Sequence, residues 1–248
     1  MKTTRILKHA VAASAMAGAL VMALPGAAQA DTLSGWIGTT FPPVNGVTYL
    51  HQSTIINAPS LIAQSKIYTV AGQDVAPGDI GVRARLFKSG ALCEAVDYRY
   101  NIDPAPELTY GTTAQCGTGW YNSHGYVAAW DGVSTYKQFV TFPTDPLNYT
   151  APTEHSARAA APEAIEVESG TNEKGQTFGS GEGVEIESDL PELVAAIGTN
   201  GEIGYVARAD LGAVAADPTA AVQEVVTPRT VPLYDKDGST VVGEFTFS

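Results

Sequence analysis

Cysteine, histidine and positive charge are all scarce in this chain. It has 2 Cys, 4 His and 14 Lys or Arg against 26 Asp or Glu in 248 residues. Each shortage excludes something. His51, His124 and His155 stand at neither H-x-x-H nor H-x-x-x-H spacing, so a transition-metal site requires distant parts of the chain to converge. No G-x-S-x-G string is present, and the adjacent Ser123-His124 pair points to opposite faces if it lies on a strand. Neither Cys sits in a C-x-x-C or beside a His, as a redox or metal thiol pair would. The acidic surplus repels phosphate, which argues against nucleic acid and anionic lipid as partners. No apolar run beyond residue 24 is long enough to span a bilayer.

The first residues have a different character. Lys2, Arg5 and Lys8 form a basic head, Ala10 to Leu24 is apolar, Pro25-Gly26 interrupts it, and Ala28-Gln29-Ala30 is a small-x-small site. This is the layout of a secretory signal peptide over residues 1–30. The sequence therefore predicts a secreted, extracellular protein starting at Asp31, with no membrane anchor. The signal takes 3 of the 14 basic residues and none of the acids, which leaves 11 against 26, a net of −15. In an exported chain the two cysteines, Cys93 and Cys116, are expected to pair. Closing a loop of that size is worth about 3 kcal/mol on the chain-entropy model. A reactive or metal-binding thiol pair is the alternative.

Composition shifts along the chain. Residues 31–150 hold all three Trp, nine of eleven Tyr and four of seven Phe, with a net charge of −3; residues 151–248 hold five aromatics and a net charge of −12. The stretch 150–162 is rich in Ala, Pro and small polar residues, without period 2 or 3.6, and is expected to be a linker. The chain is thus expected to be mainly β. An antiparallel, sandwich- or barrel-like domain would span 31–149 with one disulfide, followed by a small acidic α+β domain over 163–248.

Local patterns fill in the elements. Val47 to Ile56, Lys66 to Val70 and the alternating Val82-Arg83-Ala84-Arg85-Leu86 are strand-like, and Lys88-Ser89-Gly90 turns the chain into Ala91 to Val96. Gly119 to Trp130 and Ser134 to Phe142 flank Asp131-Gly132, a hairpin signal. In the second half Ala164 to Ser169 is strand-like. Asp189 and Glu192 have capping-box spacing for a helix through Leu190 to Ile197, stopped by Gly198, and Asp217-Pro218 opens a second helix over Thr219 to Val226. Ile203 to Ala207 is a strand, and Thr230 to Tyr234 and Ser239 to Phe247 form a closing hairpin.

Several strings taken together resemble a family. Arg85-Leu-Phe-Lys-Ser-Gly-Ala-Leu-Cys93, Cys116-Gly-Thr-Gly-Trp-Tyr121 and Ala129-Trp-Asp-Gly132 resemble a module of uncharacterised secreted proteins of actinobacteria. Gly201-Glu-Ile-Gly-Tyr-Val206, Ala209-Asp-Leu211 and the run from Val231 to Phe245 resemble a C-terminal module of the same proteins. The resemblance covers about two thirds of the chain after residue 30. It implies export and a β-rich build, and it carries no catalytic residue across.

The remaining motifs each have a plain structural reading beside a chemical one. Gly179-Ser-Gly-Glu-Gly183 lacks the Lys-Ser/Thr of a P-loop. Asp235-Lys-Asp-Gly238 has calcium-like spacing without a full ligand set. Acids crowd Glu163 to Glu192 without a pair in an apolar setting. The candidate binding residues are Trp120, Tyr126 and Trp130, which share one face of a strand by alternation while Tyr121 faces the other way. Exposed, they form a platform for sugar rings or a partner protein; buried, they are core. The expected function is that of a secreted binding protein without cofactor or metal, whose partner is an extracellular protein or carbohydrate. A hydrolase built on His51 or His124 with an Asp is the alternative, and an enzyme inhibitor presenting 101–115 a further one.

Overall fold

A computed structural model describes residues 30–152 and 166–248. The expected signal up to Gln29 and most of the expected linker lie outside the described residues. The fold is mainly β. In the first half the strands are β1 (Thr32–Ser34), β2 (Gly38–Thr39), β3 (Tyr49–Ile56), β4 (Ile62–Thr69), β5 (Ile80–Arg83), β6 (Arg85–Lys88), β7 (Ala91–Ala95), β8 (Arg99–Tyr100), β9 (Glu107–Gly111), β10 (Gly119–Ser123), β11 (Gly125–Trp130), β12 (Tyr136–Thr141) and β13 (Leu147–Tyr149). The second half adds β14 (Gly170–Thr171), β15 (Thr177–Gly179), β16 (Leu193–Ile197), β17 (Ile203–Ala207), a short helix α1 (Pro218–Gln223), β18 (Arg229–Tyr234) and β19 (Val241–Phe247).

Three sheets result. β1 and β2 both lie along β3, followed by β4 and β9; a second sheet runs β12-β11-β5-β8. The third has ten strands in the order β13-β10-β6-β7-β19-β18-β17-β16-β15-β14. A further pairing of β7 with β16 closes the run β7-β19-β18-β17-β16 on itself. The cluster of Phe87, Leu92, Ala95, Val194, Val206, Leu233, Phe245 and Phe247 is buried with it. Strands from both sides of residue 150 therefore share hydrogen bonds and one core.

Two long stretches change sheet at a corner. Residues 80–88 break at Ala84 and residues 119–130 at His124, so the run expected as one strand from Gly119 to Trp130 is two strands in two sheets. Small and polar groups fill the bend. A Cβ on Gly125 would sit 2.1 Å from Ser65 Oγ and 2.2 Å from the Arg83 carbonyl, so only glycine fits there. Ser65 Oγ donates to that carbonyl at 3.2 Å and lies 3.2 Å from Thr141 Oγ1, which in turn accepts from the Gly125 N–H at 2.8 Å. A backbone that turns away from its ladder still needs partners when buried, and these hydroxyls supply them.

Turn chemistry matches the sequence at most hairpins. Ser89 and Gly90 both have positive φ, as a two-residue turn between right-twisting strands requires. At Asp131-Gly132 the connection is longer: Trp130 pairs with Tyr136, and Asp131 Oδ1 accepts from the N–H groups of Val133, Ser134 and Thr135 at 2.8–3.1 Å.

The helix expected over Leu190 to Ile197 is instead β16. Leu193-Val-Ala-Ala-Ile197 is wholly buried, paired with β15, β17 and β7. A short apolar run buried on both faces has no periodicity to separate helix from strand. Here tertiary pairing decides. The second expected helix exists but is shorter. Asp217 caps α1, accepting from the Ala220 N–H at 2.9 Å, and the chain leaves the helix at Glu224. Of the strand expected over Ala164 to Ser169, the first two residues lie outside the described residues, Glu166 to Ser169 have no regular secondary structure, and pairing begins at Gly170.

The disulfide forms as expected, between Cys93 and Cys116 with Cα atoms 5.9 Å apart. Around it Glu94 accepts from the N–H groups of Thr113 (2.9 Å) and Ala114 (2.5 Å), and Lys88 Nζ donates to the Cys116 carbonyl at 2.6 Å. Reduction, or a Cys93→Ala/Cys116→Ala double substitution, should lower the unfolding free energy by about 3 kcal/mol. The check is a urea titration with and without reductant; a shift under about 1 kcal/mol would show that the surrounding hydrogen bonds alone fix the loop.

Candidate binding surface

The three residues marked by the sequence fall in different settings. Trp120 lies on β10, where its backbone pairs with Asn148, and is 53% exposed. Tyr126 lies on β11 in another sheet and is buried, its hydroxyl donating to the Val184 carbonyl at 2.9 Å. Trp130 is partly buried against Tyr136, with ring centroids 5.2 Å apart. The corner at His124 separates Trp120 from the other two, so they do not make one platform. Period-2 alternation holds only within a strand.

The histidines are buried. His51 packs on Phe139 and Phe142, and burial lowers its pKa to about 4, partly offset by the Val140 backbone. His124 Nδ1 lies 2.6 Å from Arg85 Nη2 and so accepts from it; burial, then the Arg85 charge, lowers its pKa to about 2. Among the described residues the ion pairs involve Lys and Arg alone, and no His meets a carboxylate. Ser123 Oγ turns away and donates to the Gln64 carbonyl at 3.2 Å. General-base geometry, an imidazole within reach of both a hydroxyl and a carboxylate, is not assembled at His51 or His124.

The other motifs are structural clasps. Ser180 Oγ donates to the Gly90 carbonyl at 2.6 Å, and Glu182 accepts from Asn122 Nδ2 at 2.6 Å. The Asp237 carboxylate is occupied by the N–H groups of Ser239 and Thr240 and by the Thr240 hydroxyl at 2.6–2.8 Å. No group of three His, Cys, Asp or Glu suited to a metal occurs among the described residues. The stretch 101–115 is largely tied down: Glu107–Gly111 is β9, and the Asn101 side chain bonds the Ile80 N–H and the carbonyls of Ala76 and Asp103.

Behind the corner lies a concentration of buried charge. Arg83, at the end of β5, and Arg85, at the start of β6, flank Ala84, and both are buried. Each guanidinium lies over a tyrosine ring, Arg83 on Tyr98 at 4.4 Å and Arg85 on Tyr126 at 4.3 Å. Arg83 also pairs with Glu187 of the second half, whose other carboxylate oxygen accepts from Gln138 Nε2 at 2.5 Å. A cavity of about 580 Å³ opens beside Glu187, Gln138 and Arg208.

The outer face of the five-stranded sheet is of another kind. On β3 the odd residues are buried; Leu50, Gln52, Thr54 and Ile56 face out. Register aligns them with Tyr68, Lys66, Gln64 and Ile62 on β4, and Tyr68, Lys66 and Gln64 with Glu107, Thr109 and Gly111 on β9. None of Leu50, Ile56, Ile62 and Tyr68 joins a buried cluster. Lys66 and Glu107 form an ion pair at 2.7 Å, and the Lys66 ammonium lies 5.1 Å from the Tyr68 ring centre.

The rim of this face is a bulged edge. The Gly35 N–H bonds the Ser53 carbonyl, and the next aligned pair is Gly38 with His51. Trp36 and Ile37 thus stand together opposite Gln52. One extra residue in an edge strand re-aims side chains and interrupts its pairing. Gly38 is required on the inner side, because a Cβ there would lie 2.0 Å from the His51 ring. Thr39 aligns with Leu50 on the outer face; Thr40, whose N–H bonds the Tyr49 carbonyl, is buried, and Phe41 follows just past the end of the strand. Trp36, Ile37 and Phe41 are 83%, 56% and 87% exposed. Residues 32–48 contain no charged side chain. This cluster was not singled out from the sequence; the signal available there was three large apolar residues in six positions with no strand pattern to bury them.

Comparison with known families, with curated proteins and with solved structures finds no match for this chain.

Proposed function

We propose that this protein is a secreted, non-catalytic binding protein of the bacterial cell exterior, whose contact surface is the outer face of the five-stranded sheet. The observation that carries this reading is the exposure of Trp36, Ile37 and Phe41 within six residues at the rim of an uncovered sheet face. Large apolar side chains grouped on a surface mark interaction sites rather than ordinary exposure. Residues 1–30 act as the export signal, and the disulfide suits an oxidising exterior. The aromatic-rich half, 31–149, supplies the contact surface, and Val167 and Ile197 of the second half join the cluster behind it that contains Ile55 and Ala63. The resemblance to secreted actinobacterial proteins points the same way and selects the probe.

The experiment is sedimentation of purified protein with isolated actinobacterial cell envelopes. The wild type should pellet with the envelopes, and a Trp36→Ala/Phe41→Ala double variant should lose at least tenfold in affinity. Truncating two aromatic anchors removes about 2 kcal/mol or more when they sit at a contact. Trp120→Ala, on another sheet, should bind as the wild type does. Equal pelleting by the double variant, or none by the wild type, would refute the assignment of this surface.

A further inference from the structure

We infer that the ligand of this face is an uncharged polysaccharide lying flat across the strands. The inference rests on the binding role proposed above and concerns the chemistry of the partner. Charge is the first argument. The face has one cation and one anion, Lys66 and Glu107, and they neutralise each other at 2.7 Å. The chain as a whole carries a net −12. A neutral surface on an acidic protein offers nothing to an anion, and a basic partner finds its complement on the acidic half instead. What it suits is a ligand without charge.

The layout of side chains is the second argument. A protein-binding patch has an apolar centre that sheds its water and a polar rim. Here the order is reversed. Gln52, Thr54 and Gln64 occupy the middle of the paired strands, and the most exposed rings, Trp36 and Phe41, stand at the edge. Amide and hydroxyl groups both donate and accept hydrogen bonds, as sugar hydroxyls do. Aromatic faces carry an apolar body that packs against the C–H face of a pyranose ring. A ladder of such groups accommodates an extended chain, and the cavities of about 580 and 490 Å³ open elsewhere.

The test separates this inference from the role it rests on. Envelopes are used intact, after exhaustive protease treatment, and after chemical removal of neutral polysaccharide. Purified neutral glucan and mannan serve as soluble probes in affinity electrophoresis. The inference expects wild-type binding to survive protease within twofold, to fall at least tenfold when polysaccharide is removed, and to be competed by at least one soluble glycan. Gln64→Ala should weaken binding about fivefold without changing the folded-state spectrum; Gln52 is left in place because its Nε2 donates to the Gly35 carbonyl at 2.9 Å and so holds the bulge that carries Trp36. Binding abolished by protease yet still dependent on Trp36 and Phe41 would give the face to a protein partner, overturning the inference and leaving the binding role intact. Self-association of the free protein through the same residues would overturn it equally. Binding indifferent to Trp36 and Phe41 would remove both.

Discussion

Acidification from pH 7.5 to pH 5 should cost this protein about 4 kcal/mol of stability, well before its carboxylates titrate. The cause is the pair of buried imidazoles. His51 is held down to about pH 4 chiefly by burial among Gly38, Phe139 and Phe142. His124 is held down to about 2 by burial and then by the Arg85 guanidinium. In the unfolded chain both take a proton near pH 6.5. Below that value the unfolded state binds more protons than the native one, so stability rises with pH and falls as pH drops. The loss begins at 6.5. It continues to about pH 4 for His51 and further down for His124. Asp79, whose carboxyl burial raises, acts in the opposite sense, but only near the carboxylate range. Urea midpoints measured across pH 5–7.5 should show a slope near two protons. His51→Asn and His124→Gln should each reduce that slope by about one proton. A flat profile would show that neither ring is kept neutral.

Removal of the Glu187 carboxylate should be as damaging. Arg83 is 2% exposed, and its Nε and Nη2 have no hydrogen-bond partner among the described residues. Its charge is met by Glu187 and by the Tyr98 ring. Glu187→Ala would strand a buried guanidinium, a change that typically costs about 3–5 kcal/mol. It would also free Gln138, whose Nε2 donates to the same carboxylate and, at 3.1 Å, to Tyr98 Oη. Replacing both partners is a different matter. Arg83→Met/Glu187→Met removes the desolvation cost along with the attraction and should lie within about 1 kcal/mol of the wild type. Denaturant unfolding of the single and double variants decides this. A cost below about 1 kcal/mol for Glu187→Ala would mean that water reaches Arg83 and the pair does not join the halves.

The contrast between the two charged places shows where function and stability part company. Arg83 and Arg85 are inside, stacked on Tyr98 and Tyr126, and the pairing of Arg83 with Glu187 ties the second half to the first. Lys66 and Glu107 are outside and cancel each other on a face left otherwise neutral. Exposed pairs of that kind add little to stability. Their consequence is the kind of partner the face admits.

The sequence by itself determined the features that depend on near neighbours. The β character, the Ser89-Gly90 turn, the Asp217 cap and the Cys93–Cys116 pairing all follow from residue type, spacing or the small number of choices. Only the tertiary structure decided the rest. Leu193–Ile197 is a strand because β15, β17 and β7 take up its backbone hydrogen bonds, while one cluster buries Val194 and Ala196 and another buries Leu193 and Ala195. Trp120 parts from Tyr126 because the chain turns a corner at His124, where Ser65 and Thr141 wait from distant positions. Trp36 and Phe41 are exposed because β1 and β2 lie at an edge and a bulge turns Trp36 and Ile37 outward. Alternation along a strand sorts residues into two faces, but which face meets water is fixed by what else packs there. That information is held by residues far away in the chain.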